Sequence, residues 1–217
     1  MSHPSALPIS CPKCQTVQQF MIWDSLNATL NPDEKAQLLK SELARFTCDV
    51  CGHTEQVTYP FLYHDMQHSF LVWLIPPNLP APDDRALENL NNFGTNYRMR
   101  TVETQAQLIE KIVIFEADLD DRIVELAKIV VAGMLPPEDR NADTEVFLSA
   151  VIDHGADSMM NFLCVSPRGT RRADFNRDWI LKAVSVLCPD ALKVQPIGQC
   201  PRIDRQFALL MLRPAAQ

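Results

Sequence analysis

The sequence predicts an α+β protein: a zinc-ribbon-like antiparallel sheet with an inserted helix, a long helix after it, and a small α+β C-terminal extension. Three observations predict this fold. Two C-x-x-C pairs stand a few dozen residues apart, short strand-like segments flank both pairs, and a helical apolar pattern runs over residues 104–135. We therefore expect one domain over residues 1–135 and an extension over residues 141–217.

The paired cysteines are Cys11 with Cys14, and Cys48 with Cys51. Two such pairs have the ligand spacing of a structural site that holds one tetrahedral Zn²⁺. Gly52 follows the second pair, where the turn needs a positive φ. A redox role would need one pair at a helix N-terminus. Both pairs lie between strand-like segments instead, so the sequence predicts one structural Zn²⁺ as the cofactor.

Composition restricts the environment and the partners. The chain has 217 residues and a net charge of -7, which argues against a general nucleic-acid binder. No apolar run reaches the ~18 residues of a membrane span, and the N-terminus lacks a signal-peptide pattern. We expect a cytoplasmic protein with no membrane partner. In that reducing compartment, Cys164, Cys188 and Cys200 are expected to be inert free thiols.

The first part of the chain alternates short elements. Asn31-Pro32, with Glu34 three residues after Asn31, is typical of a helix start. Continuous apolar residues bounded by prolines predict that 69–75 is a buried central strand. The expected elements are a disordered lead over 1–10, strands over 17–23, 45–47, 54–58, 69–75 and 97–102, and helices over 32–44 and 83–91.

The longest predicted element is a helix over residues 104–135. Thr104 with Gln107 forms a capping box, and apolar residues share one face. The other face carries Glu110, Glu116, Asp118, Asp120, Asp121 and Glu125. A solvated face is the simpler interpretation, and a docking surface is the alternative. The sequence Asp120-Asp121-Arg122 predicts a local ion pair and a helix cap.

The extension is expected to contain strands over 146–152, 159–165 and 207–212 and a helix over 173–187. Four arginines precede or begin that helix, namely Arg168, Arg171, Arg172 and Arg177. With Asp174 as the predicted N-cap, the Arg168–Arg177 loop could meet an anion or nucleic acid. Nearby aspartates could equally neutralise it, so a solvated loop is favoured.

His64, Asp65 and His68 are the candidate catalytic or second-metal residues. A neutral imidazole beside a carboxylate can act as a general base. In an extended strand, however, His64 and Asp65 point to opposite faces, and His68 lies on the side of His64. We therefore predict no catalytic residue here. The sequence also contains no Gly-rich phosphate loop and no H-E-x-x-H motif.

The chain resembles the CpXC family of bacterial proteins over about residues 9–132. The first knuckle, Cys11-Pro12-Lys13-Cys14, carries the pattern that gives the family its name. The other matching segments are Cys48-Asp49-Val50-Cys51-Gly52-His53, Leu62-Tyr63-His64-Asp65, Val72 to Pro76, Glu110-Lys111-Ile112 and Leu119-Asp120-Asp121-Arg122. The resemblance implies a zinc-ribbon-like module in a bacterial cytoplasmic protein, and no activity, because the family's function is not established.

These observations predict a non-enzymatic zinc-binding protein that interacts with a protein partner or with itself. Two alternatives stay open. One is a ribbon that contacts nucleic acid through the Arg168–Arg177 loop. The other is an enzyme with a site near His64 and Asp65. Nucleic-acid binding should weaken with salt, and an active site should form a concave pocket around one of those two residues.

Overall fold

The computed structural model describes residues 2–79, 97–153, 155–196 and 198–213. The chain divides into two compact units, Met1–Ile109 and Glu110–Gln217. Both combine helices with sheets, so the predicted α+β class is confirmed. The predicted division between residues 1–135 and 141–217 stays a prediction.

The first unit contains seven strands and one complete helix among its described residues. They are β1 (His3–Ser10), β2 (Val17–Asn27), α1 (Pro32–Leu39), β3 (Arg45–Thr47), β4 (Thr54–Gln56), β5 (Phe61–Asp65), β6 (Phe70–Leu74) and β7 (Arg98–Val102). The helix between the two cysteine knuckles is present, as predicted. The expected disordered lead is wrong, because β1 forms a long antiparallel ladder with β2.

The main sheet is mixed, so the predicted antiparallel sheet is wrong. Its order is β1-β2-β5-β6-β7, in which β2 pairs with β5 and β6 pairs with β7 in parallel. A parallel neighbour requires a long crossover connection. The chain between β2 and β5 supplies one, since it contains α1 and the separate β3–β4 hairpin.

The central strand β6 carries the core of the first unit, as its apolar run predicted. Phe70, Leu71 and Val72 are all at most 1% exposed, which fits a strand covered on both faces. Helix α1 is shorter than predicted and ends at Leu39, because Ser41 adopts a φ of 58°. The predicted helix over 83–91 lies outside the described residues.

The predicted long helix is two helices, α2 (Gln105–Glu116) and α3 (Asp121–Met134). The chain leaves α2 where Asp118 adopts a φ of 50°. Asp120 then begins α3, since its side chain accepts a hydrogen bond from the Arg122 amide over 2.9 Å. The predicted cap and ion pair at Asp120 and Arg122 are therefore confirmed, and they mark the break.

The prediction that the acidic face is solvated is wrong for three of its six carboxylates. Glu110, Asp121 and Glu125 are each at most 2% exposed. Lys111, itself 2% exposed, places its ammonium 3.1 Å from Asp121 and 3.3 Å from Glu125. Lys128 lies 2.8 Å from Glu110. These side chains form a buried charge cluster, because each carboxylate has a cation within hydrogen-bonding distance.

The second unit continues with β8 (Glu145–Ile152), β9 (Met159–Ser166), β10 (Gly169–Asn176), α4 (Arg177–Leu187) and α5 (Arg205–Met211). The strands form an antiparallel sheet in the order β10-β9-β8. Strands over 146–152 and 159–165 are thus confirmed.

Two predictions about the extension are wrong. The helix expected over 173–187 begins only at Arg177, because residues 173–176 belong to β10. Its N-cap is Asn176, whose side chain accepts from the Trp179 amide over 3.1 Å, and not Asp174. The strand expected over 207–212 is α5, which Asp204 caps by accepting from the Phe207 amide over 3.0 Å.

Candidate metal centre

The two cysteine pairs lie in the turns of two separate hairpins. Cys11 and Cys14 occupy the turn between β1 and β2, and Cys48 and Cys51 occupy the turn between β3 and β4. The strands predicted over 45–47 and 54–58 therefore pair as a hairpin with the second cysteine pair at its tip. Each hairpin fixes one pair, so the geometry of the site depends on how the hairpins meet.

The two knuckles have the same backbone geometry. In the first, the Gln15 amide donates to the Cys11 carbonyl over 2.8 Å, and in the second the Gly52 amide donates to the Cys48 carbonyl over 2.9 Å. Both donors have positive φ, 60° at Gln15 and 66° at Gly52. Gly52 was predicted from its residue type. Gln15 was missed, because only its position after a C-x-x-C pair indicates this conformation.

The four sulfur atoms converge on one point. Cys11 Sγ lies 3.6 Å from Cys51 Sγ, and Cys14 Sγ lies 3.5 Å from Cys48 Sγ. All four atoms lie within 4.8 Å of one another. Zn–S bonds of ~2.3 Å in a tetrahedron separate the sulfur atoms by ~3.8 Å, whereas a disulfide needs ~2.05 Å. The four cysteines are free thiols, and they could hold one metal ion.

A small apolar core supports the cluster from beneath. Cys11 and Cys48 are fully buried beside Phe46, whereas Cys14 and Cys51 are half-buried. The ring of Phe20 on β2 packs edge-on against Phe46 on β3, with centroids 5.9 Å apart. This contact joins the two hairpins through apolar side chains.

One polar side chain also joins the hairpins. Gln18 on β2 donates from Nε2 to the Thr47 carbonyl over 2.9 Å, and its Oε1 accepts from the Asp49 amide over 3.0 Å. The second knuckle is thereby hydrogen-bonded to the strand that follows the first. Sequence analysis missed Gln18, because a glutamine in an alternating strand gives no signal of such a bridge.

The thiols differ in acidity. A hydrogen bond shared with Thr16 lowers the pKa of Cys14 to about 6. The backbone hydrogen bond from His53 acts to lower the pKa of Cys51, but burial and the three neighbouring sulfurs outweigh it and raise that pKa to about 12. Holding all four cysteines as thiolates would therefore require a bound cation, because coordination deprotonates the thiols.

The cluster takes all its donors from the four cysteines. His53 Nε2 instead lies 3.6 Å from the Glu55 carboxylate, so this histidine flanks the cluster and is not part of it. Four protein ligands complete a tetrahedron and leave no position for a substrate or water. The arrangement can therefore hold a metal ion and stabilise the fold, but it provides no open coordination site.

The second group of candidate residues is arranged differently from the prediction. Asp65 is 2% exposed, and its carboxylate accepts from the His68 amide over 2.9 Å and lies 3.0 Å from His68 Nδ1. The prediction that His68 lies on the side of His64 is wrong, because the chain turns after β5 and is not extended. His64 Nε2 contacts the Tyr97 hydroxyl over 3.2 Å.

The electrostatics at Asp65 are those of a structural carboxylate. Burial acts to raise its pKa, but the hydrogen bonds and charge of His68 and the charge of Lys35, 3.9 Å away, outweigh burial and lower it. A cavity of about 500 Å³ lies elsewhere in the first unit, and neither His64 nor Asp65 lines it. That cavity is therefore not the concave pocket expected of an active site at these two residues.

The predicted Arg168–Arg177 loop is wrong for most of its length, because residues 169–176 form β10. Arg168 lies in the turn before β10, Arg171 and Arg172 lie on β10, and Arg177 begins α4. Arg171 Nε lies 2.8 Å from the Asp139 carboxylate, and Arg172 Nε lies 3.0 Å from Asp174. A phosphate would have to compete with these carboxylates. The local charge is therefore partly neutralised, as the favoured interpretation predicted.

The fold and the cluster define a class: α+β proteins with a four-cysteine cluster, formed by two hairpins, that could hold one metal ion. Within that class the chain belongs to the CpXC family, since the family model described as CpXC protein matches residues 9–128. This match confirms the resemblance seen in the sequence. No curated protein and no solved structure matches the chain. Among the described residues, the helices are too short or too polar to cross a membrane.

Proposed function

We propose that this chain is a non-enzymatic cytoplasmic protein that holds one structural Zn²⁺ and acts through protein–protein contacts. The proposed ligands are Cys11, Cys14, Cys48 and Cys51. One observation carries the proposal, namely that four cysteine sulfurs lie within 4.8 Å of one another. Tetrahedral thiolate sites select zinc or iron, and the spacing of two C-x-x-C pairs favours structural zinc.

The surface supports an interaction role. Several large apolar side chains are exposed in the second unit, including Val186 at 75%, Leu210 at 56% and Leu192 at 52%. Exposed apolar side chains mark contact sites when they form contiguous patches. The nucleic-acid alternative has weaker support because Arg171 and Arg172 face carboxylates, and the enzyme alternative because Asp65 is buried against His68.

The zinc part is tested by native mass spectrometry and elemental analysis of the full chain. We expect one zinc ion per chain in the wild type and in Cys164→Ser, whose thiol lies outside the cluster. Cys14→Ser should lose the metal. A wild-type chain that binds iron, or no metal, would contradict the proposal.

The interaction part is tested by crosslinking in the host cell, followed by identification of the adducts. A non-enzymatic interaction protein should give discrete adducts, either with another protein or with itself. A zinc-loaded chain that is always recovered without adducts would contradict this part of the proposal and leave the zinc site standing.

A further inference from the structure

The three-stranded sheet of the second unit has one covered face. The side chains of Val146 and Leu148 on β8, and of Met160, Phe162 and Cys164 on β9, are all at most 7% exposed. Helix α3 contacts β8, and α4 contacts β10. Alternation along the strands places the intervening residues on the opposite face.

The register of the strands defines that opposite face. One row across the sheet consists of Phe147, Leu163 and Arg172. The next row consists of Glu145, Val165 and Thr170. We call these six residues the open face. Leu163 is 36% exposed and Val165 is 39% exposed, so the middle of the open face on β9 is apolar and accessible. Phe147 on the edge strand β8 is half-buried, and the Lys128 ammonium lies 5.6 Å from the centroid of its ring.

The charged residues of the open face lie at its two edges. Glu145 is exposed on β8, and Arg172, with a side chain 59% exposed, lies on β10. Asp174 holds one side of the Arg172 guanidinium over 3.0 Å. A guanidinium has five N–H donors, so Arg172 can bind a second carboxylate.

This pattern is complementary to itself. A twofold axis that runs parallel to β9 in the contact plane places β8 of one copy over β10 of the other. The apolar middles then meet, and Glu145 faces the edge that carries Arg172 of the second copy, one row away. Sheets that pack face to face lie ~10 Å apart with strands within ~30° of each other, which suits this arrangement.

We propose that the open face binds the open face of a second copy, so that the chain forms a twofold symmetric dimer. This inference rests on the proposed function as an interaction protein and identifies its partner. The presence of both charges on one face favours a second copy over a uniformly charged partner.

The first test measures the dimer dissociation constant of the full chain by sedimentation velocity over a range of concentrations. Leu163→Asp should weaken the dimer at least about tenfold, because it buries a carboxylate at the middle of the contact. The matched control is Leu30→Asp, which changes a leucine that is 65% exposed between β2 and α1, outside the open face. It should leave the dissociation constant unchanged. Equal circular dichroism and zinc content of the variants exclude misfolding.

The second test exchanges the edge charges. Glu145→Arg and Arg172→Glu should each weaken the dimer, and the double variant should recover most of the lost affinity. A wild-type chain that stays monomeric, or a double variant that recovers nothing, would overturn the inference. A zinc-loaded monomer that still crosslinks to other proteins overturns the dimer alone, whereas a chain without zinc overturns the proposed function.

Discussion

At the residue scale, Gln15 and Gly52 occupy equivalent positions in the two knuckles, although only Gln15 has a side chain. Both have positive φ and both donate to the carbonyl of the first cysteine of their pair. Glycine adopts this conformation without a steric penalty, whereas a residue with a Cβ is strained by about 1–2 kcal/mol. The first knuckle therefore carries strain that the second avoids.

We expect opposite effects from substitutions at these two positions. Gly52→Ala should lower the free energy of unfolding by about 1 kcal/mol, because no atom lies within 4 Å of the added Cβ and only backbone strain opposes it. Gln15→Gly should be neutral or stabilising. Urea unfolding of the zinc-loaded chain measures both, and equal effects of the same sign would contradict the equivalence of the knuckles.

The buried carboxylate of Asp65 leads to a pH-dependent prediction. Its pKa is lowered in the folded state, so it contributes stability that is present above its unfolded pKa of ~3.9 and is lost as the pH falls through the folded value. Asp65→Asn should be less stable than the wild type at pH 7, by about 1.5–3 kcal/mol. The difference should shrink below about pH 4.

Denaturant unfolding at pH 7, 5 and 3 checks this prediction. Asp24→Asn is the control, since Asp24 contacts His3 at an exposed position. A stability difference between the wild type and Asp65→Asn that stays constant across this range would contradict a charged, hydrogen-bonded Asp65.

The buried charge cluster leads to a third prediction. Lys111 lies within 3.3 Å of Asp121 and Glu125 and donates to the Ile203 carbonyl over 2.7 Å. Removing one partner of a buried ion pair leaves an uncompensated charge, so Lys111→Met should be destabilised by about 3–5 kcal/mol. Lys182→Met, at an exposed position on α4, should change the free energy of unfolding by less than about 0.5 kcal/mol. A Lys111→Met chain as stable as the control would show that the cluster contributes nothing.

The sequence could not predict this cluster. In a single straight helix, the face opposite the apolar residues would point towards water. That polar face carries Glu110, Asp121 and Glu125. The break at Asp118 changes the direction of the chain and brings α2 and α3 residues together around the lysines. Burial also raises the pKa of Glu110, although Lys128 opposes that effect.

At the element scale, the break between α2 and α3 shows what a local pattern can and cannot establish. Spacing predicted one continuous helix over residues 104–135, and the residue types predicted that Asp120 and Arg122 cap and pair. It missed the break, because apolar spacing continues across residues 117–120. The prediction of a strand over 207–212 was wrong for a similar reason, since a short apolar run fits a strand or a helix equally well. The cap at Asp204 favours the helix.

The cap at the break can be tested directly. Asp120→Ala should lower the free energy of unfolding by about 1 kcal/mol, because it removes the acceptor for the Arg122 amide and the ion pair with its guanidinium. Asp120→Asn is the matched control, since asparagine caps as well as aspartate and should keep most of that stability. Two variants that lose equal stability would show that the cap contributes little.

At the scale of the whole molecule, the clustering of the four cysteines was predictable, whereas the residues that support the cluster were not. The C-x-x-C spacing identified every cysteine of the cluster, because metal coordination restricts residue type and spacing together. The mixed sheet was unpredictable, because strand order depends on a crossover that leaves no local pattern. Gln18 and Phe20, which join the hairpins, belong to an ordinary alternating strand.

One outer edge of the main sheet is poorly suited to pairing with another strand. Strand β1 is an outer strand of that sheet and contains Pro4 and Pro8. Proline has no N–H and is tolerated in a strand where that donor would point away from the neighbour. The outer edge of β1 therefore lacks two donors, which disfavours pairing with another strand. This agrees with association through the open face.

Thermal unfolding of the full chain, measured together with its zinc content, tests the central claim most directly. If four cysteines hold a structural Zn²⁺, Cys48→Ser and the chelator-treated wild type should lose the metal and the cooperative unfolding of the first unit, because structural zinc supplies about 10 kcal/mol of folding free energy. Cys188→Ser, whose thiol lies outside the cluster, should melt with one zinc bound like the wild type. A Cys48→Ser chain that melts at the wild-type temperature would contradict the claim.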